Sequence, residues 1–126
     1  MEPAVSPQGD RIAYVTYRNN APRLCVANIG DSRAVLSRNH CAVALSTDHK
    51  PDLPAERNRI EKAGGYVKEG RVNGSLGLSR SFGDFEFKHF SERPYEEQAV
   101  VSLPEVVEIE RSPDDIFVLL GCDGVW

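Results

Sequence analysis

The strongest constraint on this chain is a series of short runs of aliphatic and β-branched residues, each cut off by turn formers. RIAYVTYR (Arg11 to Arg18), LCVANIG (Leu24 to Gly30), AVLSR (Ala34 to Arg38) and CAVALS (Cys41 to Ser46) alternate with NNAPR, GDSR and NH. Runs of this length between turn signals are strands, and connections this tight join antiparallel neighbours, so the first part of the chain is expected to form a meander. Farther on, AVVSLPEVVEIER predicts two short strands either side of Pro104, and SPDD predicts a turn. A closing strand built for burial runs from Ile116 through IFVLL into GCDGVW.

One stretch has a different texture. Pro51 and Pro54 in DHKPDLP exclude a continuous strand. Asp52 stands ahead of PAERNRIEKAGG, Pro54 suits a first helical turn and Gly64–Gly65 suits a C-cap, which predicts one helix of about three turns. Its apolar residues are Leu53, Ile60 and Ala63, so it is expected to lie mostly exposed on the body, like a flap. Glycines at 70, 74, 77 and 83 in the following segment suggest unusual backbone angles or close backbone approach, and KHFSERPYEEQ reads as a polar loop. A single helix among antiparallel strands is an α+β arrangement.

A net charge of −4 argues against a nucleic-acid backbone or an anionic membrane surface as the main partner. No apolar run approaches the roughly 20 residues that span a bilayer. MEPAVSPQGD at the start has neither the basic opening nor the apolar core of a secretory signal. Cys25, Cys41 and Cys122 are odd in number, widely spaced and set in apolar stretches. They read as reduced core cysteines of an intracellular protein rather than as a zinc site.

Two carboxylates stand apart from the other acids. Asp31 follows LCVANIG and Asp123 follows IFVLLGC, each at the end of a buried-type strand and next to glycine. Carboxylates brought together at a sheet rim repel unless a cation sits between them, and hard divalent cations prefer such oxygen ligands. Asp31 also fits a β-turn aspartate bonded to its own backbone, and Asp123 fits a structural turn.

VANIGDSRAVL, STDHKP, RIEKAGGYV, RVNGSLGLSRSFGDFEFK, PEVVEIE and VLLGCDGVW occur here in this order. From about Leu24 to Trp126 the sequence resembles the type-2C metal-dependent serine/threonine protein phosphatases. The resemblance implies an α/β/β/α sandwich of two antiparallel sheets flanked by helices. It implies a dinuclear Mg²⁺ or Mn²⁺ centre that activates a water for in-line attack on phosphoserine or phosphothreonine in protein substrates. Asp123 is then a direct metal ligand and Asp31 a ligand of a weaker accessory metal. Asp48 to Gly74 resembles the flap beside the active site, where Lys50 and Arg71 face substrate; a solvated role is the alternative for both. Arg80 and Asp84, four residues apart, are expected to form an internal scaffold or ion pair. His49 is expected to be structural, and His40 and His89 to lie at the surface.

Departures from the family pattern are visible. The N-terminal DGHGG, which carries the bridging aspartate and the candidate proton donor, does not occur, and the sequence stops one residue short of the acid that usually follows Trp126. Gly77 and Ser81 stand where alanine is commoner. Residues 1–126 are therefore expected to be the middle of a catalytic domain roughly twice as long, with no catalytic residue of its own and negligible turnover alone. The expected location is cytoplasmic, nuclear or both, and oligomeric state is open. The alternative function is a pseudophosphatase, a binding module that keeps the fold without the metals.

Overall fold

The computed structural model describes residues 4–5, 11–18, 21–89 and 92–126. In chain order the strands and helix are β1 (Ala4–Val5), β2 (Arg11–Arg18), β3 (Ala21–Asn28), β4 (Arg33–Arg38), β5 (Cys41–Ala44), α1 (Pro54–Lys62), β6 (Val67–Lys68), β7 (Arg71–Val72), β8 (Glu105–Glu110) and β9 (Asp115–Gly121), with 3₁₀ turns at Phe85–Phe87 and Tyr95–Glu97. The chain divides into two compact units: Met1–Asn28 with Ser32–Asp48 and Pro104–Trp126, and Ile29–Asp31 with His49–Leu103.

The first unit holds two antiparallel sheets, in strand order β1-β2-β3-β8 and β5-β4-β9. The expected meander is thus divided: β3 and β4 are consecutive but belong to different sheets, because the chain turns away at the glycine-containing segment between Asn28 and Arg33. Of the NNAPR turn, Ala21 to Arg23 already belong to β3, and Asn19 and Asn20 lie outside the described residues. Period-2 alternation places Leu24 and Val26 of β3, Ala34 and Leu36 of β4, and Leu45 beyond β5 in one buried cluster. Val43, Ile109, Val118 and Leu120 pack against it, so the core lies between the two sheets, as in a sandwich. Asn39 and His40 both take positive φ, 48° and 60°, which is the two-residue turn that suits the right-handed twist of the β4–β5 hairpin.

The passage from β8 to β9 is fastened by Arg38. Its guanidinium donates to Asp115 at 2.6 Å and to the Glu110 carbonyl at 2.9 Å. The bond from Arg38 holds the Asp115 carboxyl below its usual range against the opposing effect of burial. The strand β9 departs from expectation. Val118 and Leu120 face the core, but Phe117 and Leu119 on the other side are 58% and 42% exposed. A run apolar on both faces reads as wholly buried in sequence, whereas only one of its faces is covered here.

The second unit has its own core of Ile60, Ala63, Val72, Phe87, Ala99 and Val100. The helix α1 is shorter than three turns, and Pro54 opens it without a side-chain cap. Gly64 closes it at φ 86°, with Gly65 N–H donating to the Ile60 carbonyl and Gly64 N–H to that of Glu61, a Schellman arrangement that only a residue without Cβ adopts cheaply. As expected, α1 lies mostly exposed with Ile60 turned to the core; what the sequence does not announce is that it also buries the charged Glu56. Gly70, Gly74 and Gly83 take positive φ as their density suggests; Gly77 does not. Only one strand flanks Pro104: Ala99 to Val101 enter this unit's core, and Val101 makes a single parallel bridge with Arg80.

Leu36 and Leu45 are the largest fully covered side chains of the sandwich core, each at 1% exposure. Leu36→Ala is expected to cost about 2–5 kcal/mol. Urea denaturation followed by far-UV circular dichroism checks this; a loss under about 1 kcal/mol would show that the two sheets do not pack through this residue.

Candidate functional site

The end of β3 is built by a glycine. Gly30 sits at φ 95°, a conformation that a Cβ would oppose, and it turns the chain so that Asp31 follows at a bend. Gly30 and His49 exchange two hydrogen bonds: the His49 N–H donates to the Gly30 carbonyl at 2.9 Å, and the Gly30 N–H donates to His49 Nδ1 at 3.2 Å. His49 is 3% exposed, and a ring that accepts at Nδ1 carries its proton on Nε2. The histidine thus has the structural role expected of it. The next residue, Lys50, donates its ammonium to the Asp31 carboxylate. The structure therefore brings Asp31 and Lys50 together, and the cation that the Asp31 carboxylate requires is supplied by the chain itself.

A buried ionic network, which the sequence reading missed, stands behind this bend. Ser79 N–H donates to the His49 carbonyl at 2.9 Å, and the Ser79 hydroxyl lies between that carbonyl and the Glu56 carboxylate. Arg80 reaches both Glu56 oxygens, at 2.8 Å through Nη2 and 3.2 Å through Nε, and donates to the Leu103 carbonyl at 3.0 Å. Arg59 pairs with Glu56 at 2.9 Å and caps the carbonyls of Ser79 at 2.7 Å and Gln98 at 3.1 Å. Burial alone pushes the Glu56 carboxyl up, but the bonds from Arg80 and Ser79 and the charges of both arginines bring it down to about 2. The only sequence signal was Glu56 and Arg59 three apart on a helix, a spacing that is usually a surface pair.

Asp123 is placed differently. It follows β9 in a turn closed by the Val125 N–H donating to the Cys122 carbonyl at 2.9 Å. Trp126 folds back so that its Nε1–H donates to the Gly121 carbonyl at 3.1 Å, and the Arg33 guanidinium lies 5.7 Å from the ring centroid while pairing with Asp48 at 3.0 Å. Asp123 is exposed, at the tip of the turn. Among the described residues it makes no ion pair or hydrogen bond. A hard cation would find in it an accessible oxygen donor; among the described residues no three His, Cys, Asp or Glu side chains converge on a metal position.

Arg71 is exposed, and its Nη1 donates to the Ser75 carbonyl at 2.8 Å. Arg80 and Asp84 do not pair, since Glu56 is the acid that fills both prongs of the Arg80 fork and Asp84 accepts from the Ser81 hydroxyl at 2.5 Å. His40 and His89 are exposed, as expected. The three cysteines are free thiols, but Cys41 is exposed rather than in the core, because it sits at the start of the outer strand β5.

Because the Glu56 carboxyl is depressed in the folded state, its stabilisation is complete above the unfolded value near 4.5 and is lost as pH falls towards 2. Glu56→Gln is expected to cost about 3–5 kcal/mol at pH 7, leaving two arginines without their acid. Urea titrations at pH 7 and pH 3 check the sign: the gap between wild type and variant narrows at the lower pH, and a gap independent of pH would contradict the assignment.

Comparisons with known proteins agree with one another. The family model described as Protein phosphatase 2C matches residues 6–126. The chain is 53% identical over 110 residues to Probable protein phosphatase 2C 2 of Paramecium tetraurelia, covering 87% of this chain and 36% of that protein. It is 56% identical over 104 residues to Probable protein phosphatase 2C 60 of Arabidopsis thaliana, covering 82% of this chain and 29% of the relative. A crystal structure of a phosphatase from a pathogenic strain of Toxoplasma gondii superposes with a TM-score of 0.75 at 46% identity, covering 83% of this chain and 32% of that one. A C. elegans sex determining protein superposes at 0.70 with 30% identity, covering 91% and 27%. The chain thus spans about a third of the length of the curated relatives it matches. With six motifs in order, two antiparallel sheets packed face to face and a family match over nearly the whole chain, it belongs to the protein phosphatase 2C family.

Proposed function

We propose that these residues form part of a catalytic domain that dephosphorylates phosphoserine and phosphothreonine in proteins, using Mg²⁺ or Mn²⁺. One observation carries the reading: Asp123 is presented in the open at the end of β9, held there by a closed turn and a pinned tryptophan, with no cation of its own among the described residues. Exposed acids on flexible loops are common; an acid on a turn braced this tightly is positioned. When bound, a divalent pair supplies Lewis acidity towards water and the phosphoryl oxygens. Asp123 would hold such a cation directly and Asp31 an accessory one. The exposed faces of Lys50 and Arg71 would orient the substrate phosphate, in keeping with a flap role for Asp48 to Gly74. A reducing, intracellular location, cytoplasmic or nuclear, belongs to the same proposal and rests on the odd number and wide spacing of the cysteines in the sequence.

The pairing of Lys50 with Asp31 favours a second reading, a pseudophosphatase-type module in which a lysine has replaced a metal. The two readings separate on substitution of the two aspartates in the full-length protein. Under the catalytic reading, Asp123→Asn lowers turnover of a phosphothreonine peptide by more than about a hundredfold, since even the outer partners of metal ligands are worth about 10- to 100-fold. Asp31→Ala lowers it less and raises the Mn²⁺ needed for half-maximal rate. Equal losses with unchanged metal dependence would remove the distinction between the two sites, and absence of turnover at any Mn²⁺ concentration would favour the binding module.

A further inference from the structure

The unit containing residues 49–103 carries a cavity that shares no lining residue with Asp31, Lys50 or Arg71. Its volume is about 290 Å³; Val100 and Val101 contribute apolar surface, and Lys88, Arg93 and Tyr95 line it with no carboxylate among them. Arg93 also lines a second cavity of about 260 Å³, where Lys62 adds a further cation. The acid there is Glu97, 3.6 Å from Arg93 Nη1, and both partners are largely in solvent, so the pair is weak and easily exchanged.

Lys88 is held in place by neutral oxygens. Its ammonium donates to the Ser81 carbonyl at 2.8 Å and to the Ser102 hydroxyl at 3.0 Å, and no carboxylate bonds it among the described residues. Burial lowers its pKa, partly offset by the charge of Asp84. A partly buried ammonium with a fixed position and a spare proton is set up to receive an anion. Arg93 offers a planar fork for two oxygens of one carboxylate or phosphate. The Tyr95 ring is 62% exposed, giving a flat apolar wall against which an extended backbone can lie.

We propose that the cavity bounded by Lys88, Arg93 and Tyr95 is a docking site for the carboxylate of an acidic side chain on an extended segment of a protein partner. A net charge of −4 disfavours a polyanion such as nucleic acid, and the apolar floor suits a side chain with its own hydrocarbon stem. The site goes beyond the catalytic reading, because it needs neither a metal nor Asp123.

The test is fluorescence anisotropy with the full-length protein in EDTA. The probes are three labelled heptapeptides that differ only in a central phosphoserine, aspartate or serine. The aspartate peptide is expected to bind, more weakly as salt is raised, and binding of the phosphoserine peptide alone would overturn the assignment to a carboxylate. Arg93→Glu is expected to weaken binding at least about tenfold. Arg93 is exposed and, among the described residues, its ion pair is the exposed one with Glu97, so the fold is expected to be retained; Tyr95→Ala, also exposed, provides an independent variant. Asp123→Asn is expected to leave the affinity unchanged. Equal binding of the serine peptide, no binding of either anionic peptide, or full affinity in both Arg93→Glu and Tyr95→Ala would overturn the proposal. So would a change of affinity in Asp123→Asn alone, which would place the peptide beside that turn rather than in this cavity. Displacement of the peptide by a single-stranded oligonucleotide at lower concentration would assign the site to nucleic acid instead.

Discussion

The carboxylate of Glu56 is the point on which the unit around α1 depends. It is 3% exposed, and its charge is kept by two arginines and a serine hydroxyl. Removing a buried acid from such a group does not restore neutrality but leaves two cations facing one another in a poorly solvated place. The arginines also donate to the backbone carbonyls of Ser79, Gln98 and Leu103, so one side chain of α1 fixes three separate points of the loop segment that follows. This segment has little regular structure and few ladder hydrogen bonds; side-chain bonds to carbonyls take their place.

From Glu56 the order passes to the candidate site by short steps. Ser79 joins the network to the His49 carbonyl, His49 holds Gly30 by two hydrogen bonds, and the residues after each of these, Lys50 and Asp31, then meet. Backbone position is fixed first, and the charged side chains follow from it. Asp123 is positioned by other means, a tight turn and the Trp126–Gly121 bond at the end of a strand that packs in the sandwich core. The two aspartates singled out in the sequence thus owe their places to different physics, one to a buried ionic network and the other to a sheet.

Much of this was legible in the sequence, for identifiable reasons. Strands announce themselves by alternation, and Leu24/Val26, Ala34/Leu36 and Val118/Leu120 fall on the inner faces as a period of two requires. Pro54 and Gly64 bracket α1 because each is chemically suited to one end of a helix and to little else. What alternation does not carry is the identity of the sheet: nothing in GDSR says that β4 leaves the sheet of β3. Nor does spacing reveal a partner far along the chain. Arg80 is four residues from Asp84 and 24 from Glu56, yet it is Glu56 that it binds. The apolar run of β9 reads as buried throughout, but a strand that is apolar on both faces says nothing about the depth of the turn that follows it.

Backbone amide hydrogen exchange at Gly30, His49 and Ser79 tests most directly whether Glu56 sets the geometry around Asp31. These amides donate to His49 Nδ1, the Gly30 carbonyl and the His49 carbonyl respectively. In Glu56→Gln their protection is expected to fall together, while the amides of β3 and β4 keep theirs. Unchanged protection at Gly30 and His49 in the variant, with losses confined to α1, would show that the bend carrying Asp31 is held without the buried carboxylate.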